Sequence, residues 1–202
     1  MTSPSNVIAP TTLTAPGLVL RPFRDADEQE VGAALRDPDI LRWATGSAIA
    51  NTPEAERAAM WLKPRINGWL TASPVFAIVE EQGGADGKAG GTGALAGAIG
   101  VREINRLPGQ AVVGYWVTAQ SRGRGVASRA LEAAARWAFA PTAEGGLGLY
   151  RITLDHAVAN PGSCRVAVKS GFRLEGTMRG FFADPSGERH DSHLHARLVV
   201  DE

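Results

Sequence analysis

Between a short apolar run, Ala111 to Val117, and an alanine-rich stretch, Gly123 to Ala140, the chain reads Gln120-Ser-Arg-Gly-Arg-Gly-Val-Ala-Ser128. The upstream run is strand-like, while Val126, Ala130, Ala134 and Trp137 recur on one helical face. Glycines at such a junction let the backbone approach a ligand closely, and the first turn of a helix has N–H groups without partners. Those amides and the helix dipole favour an anion, and Arg122 and Arg124 add positive charge. An ordinary turn with solvated arginines is the plain alternative. The junction commits the chain to a fold in which a strand feeds a helix, and it makes a phosphate-bearing ligand the first functional expectation.

The pattern around that junction predicts the other elements. Leu18 to Phe23 reads as a first strand, and Asp25 with Glu28 as a capping box opening a helix to about Arg36. Thr52-Pro53-Glu54 starts a second helix, which Pro64 should end or kink. Val75 to Glu80, Leu95 to Val101 and Ala111 to Val117 predict three strands in series. After the alanine-rich helix come a strand at Leu149 to Leu154 and a helix capped by Asn160-Pro161 and closed by Gly171. Phe172 to Phe182 and His193 to Val200 then pair as a hairpin. The order implies an α/β chain, a mixed α+β sheet in one layer with helices on its faces.

Composition narrows the function classes. The 202 residues suit one domain, expected over 17–202 behind a disordered leader at 1–16. Basic and acidic residues balance at 21 each, which speaks against nucleic acid as a partner. The single cysteine, Cys164, cannot form an internal disulfide, and no run of apolar residues is long enough for a membrane span. The expectation is a soluble, cytoplasmic protein with no membrane partner; a homodimer stays open.

Two phosphate-loop motifs fail in detail. The dinucleotide fingerprint wants Gly or Ala where Ser128 stands, and an acidic residue about 20 positions on, where Gly146 and Gly148 lie. Near Gly87-Lys88 the Walker pattern would need glycine at Gln82 and Ser or Thr at Ala89. The stretch Gly83 to Gly93 therefore reads as a loop.

The residues that remain resemble the GNAT superfamily of N-acetyltransferases, in its RimJ/RimL-like branch. Gln120, Gly123 and Gly125 match the acyl-CoA signature, and Gly114-Tyr115-Trp116-Val117 matches the strand before it. Asn160, Ser163, Arg165, Val166, Ala167, Lys169, Gly171 and Phe172 match the downstream pattern. The resemblance spans about Leu18 to Val200. It implies a mostly antiparallel sheet splayed at the cofactor site, with helices on both faces. It also implies acetyl-CoA as cosubstrate, with no metal, and acceptors that are protein N-termini or small-molecule amines. Pantetheine would pair with the backbone of Tyr115, Trp116 and Val117. The pyrophosphate would sit on Arg122, Gly123, Arg124, Gly125, Val126, Ala127 and Ser128, and Asn160 would bring its cap to the thioester.

Acetyl transfer needs a neutral amine and a proton for the departing thiolate. Many relatives place a tyrosine acid four residues before the Gly-Phe pair, where this chain has Ala167. The branch resemblance makes Ser163 the acid instead. Glu103, at a strand end, is the first expectation for the base, with His156 second and water the alternative to both. A metal reading of His190, His193 and His195, with Asp191 beside them, lacks a partner cluster in the sequence, so an exposed polar strand face is expected there. Trp43, Trp61 and Trp69 are expected to serve as packing or to wall an acceptor pocket. The rivals from other classes are a non-catalytic acyl-CoA-binding module and a nicotinamide oxidoreductase.

Overall fold

The computed structural model describes residues 7–81 and 93–201. Eight strands form one sheet: β1 (Leu13–Ala15), β2 (Leu18–Pro22), β3 (Val75–Glu80), β4 (Leu95–Arg102), β5 (Gln110–Val117), β6 (Arg151–Ala157), β7 (Arg173–Ala183) and β8 (Arg189–Leu198). Their spatial order is β1-β2-β3-β4-β5-β6-β8-β7. Every neighbouring pair is antiparallel except β5 and β6. The mixed sheet expected from the sequence is present.

Central strands alternate between two buried faces. In β3, Phe76 and Ile78 join one core while Ala77 and Val79 join the other. Burial on both sides is why that strand reads as a continuous apolar run rather than an alternation. Over the first face lies α5 (Val126–Phe139), whose Ala130, Ala134 and Ala138 are essentially inaccessible. Alanine lets that helix approach the sheet closely. The other face is covered by α1 (Glu28–Ala34), α2 (Pro38–Ala44), α3 (Ser47–Ala50) and α4 (Glu54–Ile66). Phe23, Trp61 and Trp116 meet there edge to face, with ring centroids 5.3 and 5.6 Å apart. The last helix, α6 (Pro161–Lys169), follows β6 and packs beside α5.

Several expectations are corrected. The leader expected at 1–16 is in part structured: Leu13–Ala15 pairs with β2, and Ile8 donates its N–H to the Trp69 carbonyl at 2.8 Å. Ladder bonding and the packing of Ile8 and Leu13 on the core outweigh a Pro- and Ser-rich composition. Residues 1–6 of that leader, and the Gly87-Lys88 motif, lie outside the described residues. The cap before α1 is made by Asp27, not by Asp25 and Glu28: its carboxylate accepts the Arg24 N–H at 2.9 Å. Thr52 is not the N-cap of α4; its hydroxyl donates back to the Ala48 carbonyl, and Pro53 takes the cap position. Pro64 does not stop α4, which runs on to Ile66. The alanine-rich stretch from Gly123 is helical only from Val126; Gly123 and Gly125 form the turn ahead of α5 with φ of +74° and +73°, as the junction predicts.

Candidate functional site: a cleft where two strands part

Parallel pairing between β5 and β6 lasts only three rungs, Gln110–Arg151, Ala111–Ile152 and Val112–Thr153. Beyond Thr153, whose hydroxyl donates to the Ala111 carbonyl, the strands separate. Each keeps its outer partner: β5 stays on β4 as far as Val117, and β6 stays on β8 as far as Ala157. The fork opens into a cleft of about 1140 Å³. Tyr115, Trp116, Val117, Leu154, Asp155 and His156 line its strand walls.

The glycine turn closes one end. Arg122, Gly123, Gly125, Val126, Ala127 and Ser128 all border the cleft. Gly125 caps α5 with no side-chain hydrogen bond, so the first-turn amides of Val126, Ala127 and Ser128 keep their donor capacity for a ligand. The paired left-handed glycines lead into that first turn at the cleft, a ready anion site. The two arginines differ. Arg122 borders the cleft while held by Asp37 at 2.7 Å and Asp39 at 3.1 Å. Arg124 is outside the cleft lining, drawn away into a bidentate pair with Glu80 at 2.8 and 3.0 Å.

At the other end, α6 presents its first turn. Asn160 accepts the Ser163 N–H at 3.2 Å through its side chain, with Pro161 as the first helical residue, as the sequence predicts. Asn160 and Ser163 both border the cleft. The Ser163 hydroxyl lies 3.0 Å from the Tyr115 phenol oxygen, and the phenol also reaches the Ser163 carbonyl at 3.3 Å. Burial pushes the Tyr115 hydroxyl up to about 12, against a smaller downward pull from Ser163, so it stays protonated. Sequence reasoning assigned Tyr115 a backbone role and missed its side chain. The available signal was strand period: Ala111, Val113 and Tyr115 share the face on which α5 and α6 lie.

The base expectations divide. Glu103 is not brought to the cleft: it sits beyond β4 with φ +55° and pairs with Arg106 at 3.0 Å. His156 borders the cleft, but its Nε2 faces the Nε2 of His195 at 3.3 Å. Burial lowers its proton affinity, so it is neutral near pH 7. Two acids do line the cleft: Asp39, which pairs with Arg122, and Asp155, 3.8 Å from Arg102, a residue the sequence did not single out. Trp43 and Trp61 also border the cleft, whereas Trp69 packs in the core against Phe76 and Trp137. The His193 and His195 face is not an exposed polar one, because His195 is fully buried and His193 half-buried.

Comparison with known proteins fits this geometry. A sequence profile described as "Acetyltransferase (GNAT) domain" matches residues 17–173. The ribosomal-protein-serine acetyltransferase of Escherichia coli (strain K12) is 33% identical over 106 residues, 52% of this chain and 55% of that one. The match thus spans about half the length of that curated relative. Two solved structures share the fold. One is RimL, a ribosomal L7/L12 alpha-N-protein acetyltransferase in complex with coenzyme A (TM-score 0.74, 19% identity, 95% of this chain and 100% of that one). The other is Mycobacterium smegmatis RimJ in complex with CoA-disulfide (TM-score 0.74, 20% identity, 95% and 88%). No helix among the described residues is long and apolar enough to cross a membrane. A forked mixed sheet, an uncapped glycine turn at the head of its central helix and a profile match over most of the chain lead to one conclusion: this protein belongs to the GNAT acetyltransferase family.

Proposed function

We propose that the protein transfers acetyl from acetyl-CoA to a primary amine by direct attack within a ternary complex. The observation that carries this reading is the pair of hydroxyls, Tyr115 and Ser163, held together inside the fork. The pyrophosphate rests on the amides of Val126 to Ser128, with Arg122 as its cation. Pantetheine runs along the free edge of β5 at Tyr115, Trp116 and Val117. That course brings the thioester to the first turn of α6.

The amine nitrogen then bonds to the thioester carbon, and the carbon–sulfur bond breaks. Ser163 donates a hydrogen bond to the departing thiolate while accepting one from Tyr115. A phenol at about 12 cannot surrender its proton to a thiolate of ordinary pKa near ~8.5 without a penalty of about 5 kcal/mol. The hydroxyl pair therefore stabilises the developing charge and relays a proton, and the proton that ends on sulfur is balanced by one lost from nitrogen. Asp155 sits on the acceptor side, where it draws in the ammonium before water removes the first proton.

The E. coli relative's name points to a protein acceptor, and RimL is named an alpha-N-protein acetyltransferase, so the acceptor class we favour is a protein N-terminal α-amine. Its reference pKa of ~7.8 leaves a useful neutral fraction, unlike a lysine near ~10.4. The same reading places the enzyme in the cytoplasm, where acetyl-CoA and new ribosomal proteins meet. Thiol release from acetyl-CoA, run against N-terminal peptides and small amines beside coenzyme A and NAD titrations, tests it. Turnover with at least one amine is expected. Coenzyme A binding without turnover on any amine would leave a binding module, and NAD binding without coenzyme A binding would remove the reading.

A further inference from the structure

The chain has four histidines and one cysteine. Three of those histidines and the cysteine meet at one point between α6 and the sheet. One donor atom from each of His156, Cys164, His193 and His195 lies within 4.8 Å of the others. His156 comes from β6, His193 and His195 from adjacent β8, and Cys164 from α6, so the contact ties three elements together. In register, His193 is opposite His156 and His195 is opposite Leu154, which brings all three rings to one patch of the sheet.

The outer nitrogens of the two buried rings fix their tautomers. His156 Nδ1 donates to the Ala157 carbonyl at 2.9 Å, and His195 Nδ1 donates to the Phe172 carbonyl at 3.2 Å. In the neutral rings both Nε2 atoms therefore carry lone pairs, yet they face each other at 3.3 Å. Two lone pairs at that distance repel unless something positive lies between them. A metal ion bound at 2.0–2.1 Å with tetrahedral angles sets its imidazole nitrogens about 3.3–3.4 Å apart. Backbone carbonyls gripping the opposite ring nitrogens are also the usual outer support of metal-bound histidine. The remaining pair is nearly placed: Cys164 Sγ is 4.0 Å from His193 Nδ1, where tetrahedral zinc would set sulfur and nitrogen about 3.6 Å apart.

The other group of metal-ligating side chains gives a contrast. Asp184 and Glu188, beside His190, are already paired with Arg42 at 3.0 and 3.2 Å. Among the described residues, no ion pair of that kind is recorded at the histidine–cysteine cluster.

We propose that His156, His193, His195 and Cys164 form a four-coordinate site for zinc or a similar divalent transition metal. Binding replaces the Cys164 thiol hydrogen with the metal, and the released proton goes to solvent. With all four positions filled by protein, the ion has no open position for substrate and is structural. Its effect is mechanical: Cys164 follows Ser163 directly, so the ion pins the first turns of α6 onto β6 and β8. The acetyl-transfer chemistry needs no metal, and the site stands or falls separately from it.

The test uses the full chain, stripped with chelator, reloaded with zinc or cobalt(II), and dialysed. One equivalent of zinc per chain is expected, with a rise in melting temperature. The cobalt form should show strong tetrahedral visible bands and a near-ultraviolet thiolate charge-transfer band. Cys164→Ser should abolish the charge-transfer band, and His193→Gln should weaken zinc about 10-fold or more in competition with a chromophoric chelator. Neither residue is fully buried, and circular dichroism of the double variant checks folding. A wild-type chain that retains no metal overturns the proposal. So do weak octahedral cobalt bands, or equal uptake by the folded double variant.

Discussion

The phenol oxygen of Tyr115, on β5, and the hydroxyl of Ser163, on α6, lie 3.0 Å apart across a gap where the sheet has no ladder. Two elements from opposite banks of the cleft thus share one proton-carrying unit. Ser163→Ala should slow turnover by about 10²-fold or more while changing coenzyme A affinity little. Tyr115→Phe should also slow it, and the double variant should be no slower than the worse single one. Steady-state rates beside a coenzyme A titration decide this. A larger loss in affinity than in turnover would reduce Ser163 to a capping or binding residue.

Arg122 is held by two carboxylates. Anion binding must compete with Asp37 and Asp39 for that guanidinium. Replacing both, as Asp37→Asn and Asp39→Asn, should tighten coenzyme A by a few-fold at low salt, since exposed pairs of this sort contribute about 0.2–1 kcal/mol. The gain should shrink as ionic strength rises. Arg122→Ala should weaken binding, whereas Arg124→Ala should have a smaller effect, because Arg124 points toward Glu80. Isothermal titration at two salt concentrations reads all four.

Asp155 faces the cleft where Glu103 does not. Asp155→Asn should raise the acceptor KM about 10-fold and leave coenzyme A affinity in place. Glu103→Gln should change neither parameter materially. Initial rates at varied peptide concentration separate the two.

Asp27 supports the entry to α1. Its carboxylate is almost wholly buried, bound by both terminal nitrogens of Arg21 at 2.7 and 2.8 Å and by the Arg24 N–H. Burial alone would raise its pKa, but the Arg21 hydrogen bond, the Arg24 N–H and the charges of both arginines outweigh that and hold it below 3.8. A carboxylate depressed on folding contributes stability that is fully present above 3.8 and is lost as pH falls through the lower folded value. Asp27→Asn should cost about 2 kcal/mol near neutrality, and the difference from wild type should vanish in strong acid. Urea titrations across pH 2 to 7, a range of about five units spanning the transition, measure it.

Much of this arrangement was legible from local signals. Gly123 and Gly125, Asn160-Pro161 and Gly171 each announce a specific backbone event, and each event is there. Gly171 closes α6 in a Schellman arrangement, with Phe172 N–H bonded to the Ala167 carbonyl at 3.0 Å and Gly171 N–H to Val168 at 3.2 Å. What stayed hidden depends on distant partners. The pull of Glu80 on Arg124 spans 44 residues and that of Asp37 on Arg122 spans 85. The meeting of His156 with His195 spans 39 residues and is set by the register of β6 on β8. Likewise Leu13–Ala15 is a strand because β2 offers it an edge, not because its residues favour extension. Glu103 is kept from the cleft for the same reason: it follows β4, where the turn carries it toward Arg106, and only the parting of β5 and β6 brings Asp155 to the cleft.

That parting also has a consequence for ligand binding. Past Val112 and Thr153, the facing edges of the two strands have no ladder partner in each other. A guest bearing amides and lying lengthwise in the groove completes that half of the β-sheet as an added strand would. Deuterium uptake at residues 113–117 should therefore drop when such a guest arrives, and the whole sheet should melt at a higher temperature than it does alone.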